Sequence, residues 1–491
     1  MRYIASFDIG SSAIKAVLVD TQCHSHHPSS RDYAPSDHAP GEQDPQLWWD
    51  AFCQLIQEWS AQGVDLQSLA ALTFSGQMQD MIALDAHGEV VRPVVLYMDA
   101  RAGEQAAHIA VQLGQANIDR ITRNPFNAGS VLPKILHLKD HEPAHFEQTE
   151  QVLFGAKDFI IFRLTGSAVC DHTTAATTGM YDFDHGRWTH AWMTDLQLDT
   201  IRLPALHSAG ELVGQVHGAA AQATGLPQGL AVMCGLGDAA ATTLGAGMTH
   251  ASQSYAYLGT SGWVATLAQE FHRGDIPLFL LPYPESGWHI RIGPISNAGS
   301  VHRWALQFTA KETEAQAYAQ LESLVASTIT DPDLVFLPYL SPERLPVMTD
   351  KPQGSFLGLS LQTTRADMLR AVLEGVALSL YWACEEVQTT TTETLLVVGG
   401  ATRSAVWMQI LADVWNKPVV AHPDSTYLAC LGAAATAAVS LGWAISVSVF
   451  LQAASQATAQ CCTPNPDQVE RLAAKSQAFR HLQKQLSRVY G

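Results

Sequence analysis

Residues 3–19 read Tyr3-Ile4-Ala5-Ser6-Phe7-Asp8-Ile9-Gly10-Ser11-Ser12-Ala13-Ile14-Lys15-Ala16-Val17-Leu18-Val19. The apolar runs on either side of Gly10-Ser11-Ser12 predict two strands, Tyr3–Ile9 and Ile14–Val19, closed as a hairpin with glycine at the turn. Asp8 ends the first strand, where a carboxylate can hold a hydrated Mg²⁺. The small residues after it, with Lys15 beyond, let backbone N–H groups approach phosphate oxygens. Taken alone, the same residues suit an ordinary hairpin with an aspartate in its turn.

The pattern recurs. Ser254–Leu258 and Trp263–Leu267 flank Gly259-Thr260-Ser261-Gly262 in the same way. Two such hairpins predict an internal duplication, two related lobes each beginning with its own hairpin. The boundary falls near Gly245–Ser254, with Gly245-Ala246-Gly247 as a flexible joint, giving lobes at 1–247 and 253–491. Helical apolar spacing over Trp48–Trp59, followed by the strand Ala70–Phe74, begins a βα alternation. Leu395–Val398 reads as a buried strand running through Gly399-Gly400-Ala401-Thr402 into a helix with Val406, Ile410, Leu411 and Val414 on one face. Such alternation predicts an α/β protein with sheets covered by helices. Gln468–Tyr490 reads as a charged surface helix, and Trp48, Trp49, Trp59 and Trp407 as core.

Between the strand Leu230–Cys234 and a helix starting near Ala239 stands Gly235-Leu236-Gly237-Asp238-Ala239-Ala240. The dinucleotide fingerprint would need an acidic residue about 20 positions later to hold a ribose. No Asp or Glu occurs between Asp238 and Glu270, so that reading fails. Asp238 sits instead where a carboxylate can face a substrate hydroxyl, or, more plainly, where it caps a helix. Gly259–Gly262 can cradle phosphates, and Gly399-Gly400-Ala401 can let a planar base lie close to the backbone. Each of these is also ordinary turn chemistry.

Composition narrows the partners. The chain has 491 residues, 47% hydrophobic and 15% charged, with a formal net charge of −18. That balance permits large cores and disfavours nucleic acid or anionic lipid as partner. Phosphate binding would then fall to backbone N–H groups and a metal ion. The eight cysteines are scattered without a C-x-x-C pair, and residues 1–8 hold no apolar leader, so a cytoplasmic protein with reduced thiols is expected. Ser425–Pro466 lacks charge but is rich in Ala, Ser, Thr and Gly, which predicts buried small-residue helices rather than a membrane span. His24, His26 and His27 read as solvated loop histidines.

In combination and order these motifs resemble the FGGY carbohydrate kinases of the actin and sugar-kinase superfamily, and among them the xylulokinases. The likeness runs from Ile4 to about Gly442. It includes Glu42–Trp49, Ser75-Gly76-Gln77-Met78, Arg92–Arg101, Phe336–Arg344, and Gly399–Ser404 with Trp407 and Gln409. It implies two actin-like (ribonuclease H-like) lobes with a cleft between them. It implies ATP and Mg²⁺ as cofactors, a small sugar as partner, and, as a family expectation, a homodimer. Asp238 resembles the proton acceptor and Asp8 the acidic residue near magnesium, with both as metal candidates. Gln77, Met78, Gln79, Asp99, Arg101 and Asp238 would meet the sugar. Gly10, Ser11, Ser12, Lys15, Gly259, Thr260, Ser261, Gly262, Gly399, Gly400, Ala401 and Ser404 would meet the nucleotide. Three positions depart from the xylulokinase pattern: Gln79 replaces His, Tyr97-Met98-Asp99 replaces Trp-Asn-Asp, and Ala239 follows the catalytic Asp where Asn is common. All three fall on the sugar side. D-xylulose is the leading substrate, with another ketose or polyol such as ribulose, or a non-catalytic sugar sensor, as alternatives.

Overall fold

Strand Tyr3–Ile9 (β1) is buried along most of its length on both faces, as expected of a central strand covered by helices. It pairs antiparallel with Ala13–Val19 (β2), Asp8 opposite Lys15, and β2 pairs with Ser25–Asp32 (β3). The structure, a computed structural model, describes residues 2–34, 38–250, 253–269, 278–284, 287–309, 313–347, 349, 351–387, 393–422, 425–452 and 461–490. The chain divides into two units. The first comprises Met1–Thr249, Phe279–Ile290 and Tyr427–Gln456, the second His250–Leu278, Arg291–Thr426 and Ala457–Gly491.

In the first unit, helix Gln46–Ala61 (α1) places Trp48, Phe52, Leu55, Ile56 and Trp59 on one buried face. Phe7 of β1 meets Phe52, Trp59 and Phe74, with ring centroids 4.8, 5.4 and 5.6 Å away. Strand Leu69–Gly76 (β4) runs parallel to β1, and Met78–Leu84 (β5) follows it. Beyond helix Val131–His141 (α2), strand Ala231–Met233 (β6) lies parallel to β4 on its far side, and the chain enters helix Asp238–Gly245 (α3).

The second unit repeats this order. Ser254–Leu258 (β7) pairs antiparallel with Gly262–Ala268 (β8) and parallel with Leu395–Val398 (β9), which is parallel to Val419–Ala421 (β10). Helix Arg365–Glu386 (α4), started by a Thr364–Asp367 capping box, and helix Ala405–Trp415 (α5) cover the sheet. A hairpin followed by two parallel strands is thus built twice. The chain then returns to the first unit as Leu428–Ser440 (α6).

Four expectations change. His26 and His27 lie in β3 rather than a loop, and His26 Nε2 is 2.9 Å from an Asp20 carboxylate oxygen. Gly245 is no joint: it is the last residue of α3, packed so that a Cβ would meet the Leu428 carbonyl oxygen at 2.0 Å. The last helix, Pro466–Tyr490, buries Leu472, Lys475 and Phe479 on one face and is not confined to the surface. Asp238 is the first helical residue, with Gly237 in the capping position. The charge-free stretch from Ser425 forms helices Leu428–Ser440 and Val447–Gln452, while its residues 453–460 lie outside the described residues. Among the described residues no helix is long and apolar enough to cross a membrane, and no disulfide forms.

Candidate active site

At the carboxyl ends of β1 and β4, the register sets Asp8 beside Ser75 and Ile9 beside Gly76. The short strand Leu236–Gly237 joins the same edge, opposite Ser75 and Gly76. Ends of parallel strands are where open α/β sheets bind ligands. Here they gather Asp8, Gln77 and Asp238 from three distant parts of the chain. The Asp8 carboxylate accepts a hydrogen bond from Ser75 Oγ at 2.9 Å.

The glycines of Gly235-Leu236-Gly237 serve packing. At Gly235, with φ of 69°, a Cβ would meet the Phe74 carbonyl oxygen at 1.9 Å. At Gly237 it would meet Met78 Sδ at 2.2 Å. Asp238 is carried by a turn that only glycine can bring this close to β4. Burial, then the charge of Asp8, pushes its carboxyl up to about 7, against the Ala239 backbone N–H that donates to it at 2.7 Å. A carboxylate near neutrality can both take and return a proton at working pH.

Behind this turn lies an ion cluster that the sequence reading missed. Lys157 Nζ, fully buried, stands 2.5 Å from Asp158 and 3.0 Å from Asp171. Asp171 accepts the Thr173 hydroxyl, whose oxygen accepts the Gly237 N–H at 2.9 Å. The only hint in the sequence is the pair Lys157-Asp158 inside an otherwise apolar run.

The acceptor-side candidates divide. Gln77 is buried, its amide facing the Asp80 carboxylate without closing a full hydrogen bond. That is an uncommon state for a buried amide and one a polar ligand would relieve. Met78 is half-buried against Gly237. Gln79 is held at φ 65°, a left-handed conformation that costs a side-chain-bearing residue about 1 kcal/mol or more. Its amide donates to the Thr177 carbonyl at 3.0 Å. Asp99 and Arg101 are engaged with each other through bonds of 2.8–2.9 Å, and Arg101 also reaches Glu42 at 2.7 Å. Despite burial, Arg101 holds the Asp99 carboxyl below its usual range.

In the second unit, Leu258 pairs with Gly262, leaving Thr260 and Ser261 exposed at the hairpin tip. The Gly299 and Ser300 N–H groups donate to the Gly259 and Thr260 carbonyls at 2.9 and 2.8 Å. Buried Glu343 anchors that supporting loop by accepting from Asn297 N and Nδ2 at 3.1 and 2.9 Å. Gly399, at φ 96°, comes so near Leu258 that a Cβ would sit 2.6 Å from its carbonyl oxygen, whereas Gly400 has open space. Ala401 is buried. Ser404 caps α5, its Oγ accepting Trp407 N–H at 3.0 Å and donating to Glu322.

The two halves match the N-terminal domain of the FGGY family of carbohydrate kinases over residues 3–245 and its C-terminal domain over residues 254–441. The chain belongs to the FGGY family of carbohydrate kinases. It is therefore a phosphotransferase acting on a sugar with ATP. The xylulose kinase of Escherichia coli (strain K12) is 30% identical over 439 residues, 88% of this chain and 89% of that protein. Among solved structures, a ligand-bound xylulose kinase from Lactobacillus acidophilus has a TM-score of 0.88 at 26% identity, covering 99% of each chain. A gluconate kinase from the same organism also reaches 0.88 at 26% identity, covering 99% of this chain and 98% of its own. The fold is thus the two-domain FGGY kinase fold, of mixed α/β sheets, whose duplicated order agrees with actin-like lobes.

Proposed function

We propose that this kinase phosphorylates a ketose, D-xylulose foremost, to D-xylulose 5-phosphate, with Asp238 as the base. The observation that carries the reading is Asp238 itself, at the strand ends that also hold Asp8 and Gln77, its carboxyl pushed up to about 7. The acceptor's primary hydroxyl gives its proton to Asp238 as its oxygen bonds to the γ-phosphorus. The bond to the β,γ-bridging oxygen breaks, and ADP leaves. Phosphoryl transfer asks mainly for positioning and charge neutralisation. Gly10, Ser11, Ser12 and Lys15, with the hairpin Gly259–Gly262, are assigned to the phosphates, and Gly399, Gly400 and Ala401 to the adenosine. On this assignment residues 1–247 supply the acceptor site, the first phosphate hairpin and the base, and residues 253–491 the second phosphate hairpin and the adenosine site. Ser404 takes part through the cap it forms.

The residues present suit Mg²⁺. Asp8 and Asp238 lie close enough for one charge to raise the other's proton affinity, a crowding that a divalent cation relieves. Magnesium commonly takes one or two carboxylates and fills its shell with water and phosphate oxygens. Bound there, it would neutralise charge on the phosphates, as an acidic protein requires.

Gln79 and Met98 stand where xylulokinases carry other side chains, and a gluconate kinase shares the fold equally well. The acceptor test is therefore ADP release with Mg²⁺-ATP across D-xylulose, D-ribulose, gluconate and polyols. Turnover highest with D-xylulose is expected. Turnover with another acceptor alone keeps the mechanism and reassigns the pocket, and none across the panel sinks the reading.

A further inference from the structure

Two acceptor-side segments, Gln79-Asp80 and Leu96-Tyr97, are joined by charged groups that the phosphoryl transfer does not use. Lys134, on α2 and buried to 1% exposure, donates to the Gln79 carbonyl at 2.7 Å and the Leu96 carbonyl at 2.8 Å. Asp80, fully buried, accepts the Tyr97 N–H at 3.1 Å. The Leu96 carbonyl also accepts the Asp99 N–H at 3.1 Å, closing the turn that presents Asp99 and Arg101.

Such a pair is costly to bury, and an apolar residue of similar volume commonly serves packing as well or better. Burial drives the Asp80 carboxyl up and the Lys134 ammonium down, each only partly offset by the charge of the other. What an apolar residue cannot do is donate to two carbonyls from two segments at once. One of those carbonyls belongs to Gln79, whose left-handed backbone persists only if its surroundings hold it. Its amide is tied at the other end to Thr177.

We propose that Lys134 is a positioning residue for acceptor recognition. By gripping the Gln79 and Leu96 carbonyls together, it sets the Gln79 side chain against the loop bearing Asp99, and so determines which acceptor is taken. This rests on the acceptor-binding reading above and deepens it.

The test uses the full chain with the best acceptor and a second that differs at one hydroxyl. Lys134→Met should raise the acceptor KM tenfold or more and change the ratio of kcat/KM between the two acceptors at least fivefold. The ATP KM should stay within twofold. Lys134→Gln, which keeps a donor for one carbonyl, should fall between. Adding Gln79→Ala to Lys134→Met should cost less than twofold further, because both act through one side chain. Folded variants with wild-type acceptor KM and discrimination would overturn the proposal, as would equal rises in the ATP and acceptor KM. Failure of both Met and Gln variants to fold would make Lys134 a core residue only, and also overturns it. If wild type turns over an acceptor and Gln79→Ala alters its choice while Lys134→Met does not, this inference fails alone. If wild type turns over none, both readings fall.

Discussion

Partial burial, then the charge of Asp8, pushes the Asp238 carboxyl up to about 7. In the proposed role of base it must be deprotonated, so kcat/KM should rise with pH through about 7 and level above it. Asp8→Asn removes the neighbouring charge, lowers the Asp238 pKa and should move that limb to lower pH, read from a pH–rate profile. Asp238→Asn should reduce kcat by roughly 10²- to 10⁴-fold with the acceptor KM little changed. The motif around Asp238 was plain in the sequence, but its glycines first suggested a dinucleotide site. Only the approach of Phe74 and Met78 shows what they are for.

Helix α3 and helix α6 pack backbone to backbone. A Cβ at Gly432 would meet the Ala241 carbonyl oxygen at 2.0 Å, and Ser6 Oγ donates to the Cys430 carbonyl at 2.6 Å on the other side of α6. Gly432→Ala should therefore cost about 1–3 kcal/mol or more, in the manner of overpacking, despite alanine's better helix propensity. Thermal denaturation would read it, and an unchanged Tm would show that the pair relaxes freely. Ser404→Ala removes the α5 cap and should cost about 1 kcal/mol, while Ser404→Gly should cost only a few tenths. Small residues in α6 were legible as a buried helix. Their partner, α3, was not, because nothing in a run of alanines says which backbone it will touch.

Lys157, Asp158, Asp171, Thr173 and Gly237 show what the whole molecule adds. Lys157 holds two buried carboxylates that would otherwise stand uncompensated, and Asp158 is already pushed up to about 6 by burial. Lys157→Met should destabilise the protein by about 3–5 kcal/mol in chemical denaturation, the cost of stranding a buried charge. Pairing it with Asp171→Asn should recover part of that loss. Lys157-Asp158 in an apolar run was the one sign of the cluster; Asp171, Thr173 and Gly237 come from other segments, and nothing near Lys157 in the sequence points to them. Lys134 escaped notice for the same reason.

The sequence by itself determined the duplicated βα organisation, the hairpins, the positions of Asp8 and Asp238, and the aromatic core. These follow from local periodicity and turn chemistry, which neighbouring residues set. Tertiary structure decided that Arg101 also reaches Glu42, that Gly245 packs against the Leu428 backbone, and that Ser404 donates to Glu322. It also decided that Asp8 raises the proton affinity of Asp238. Those outcomes depend on burial and on contacts between distant segments, and no local pattern encodes either.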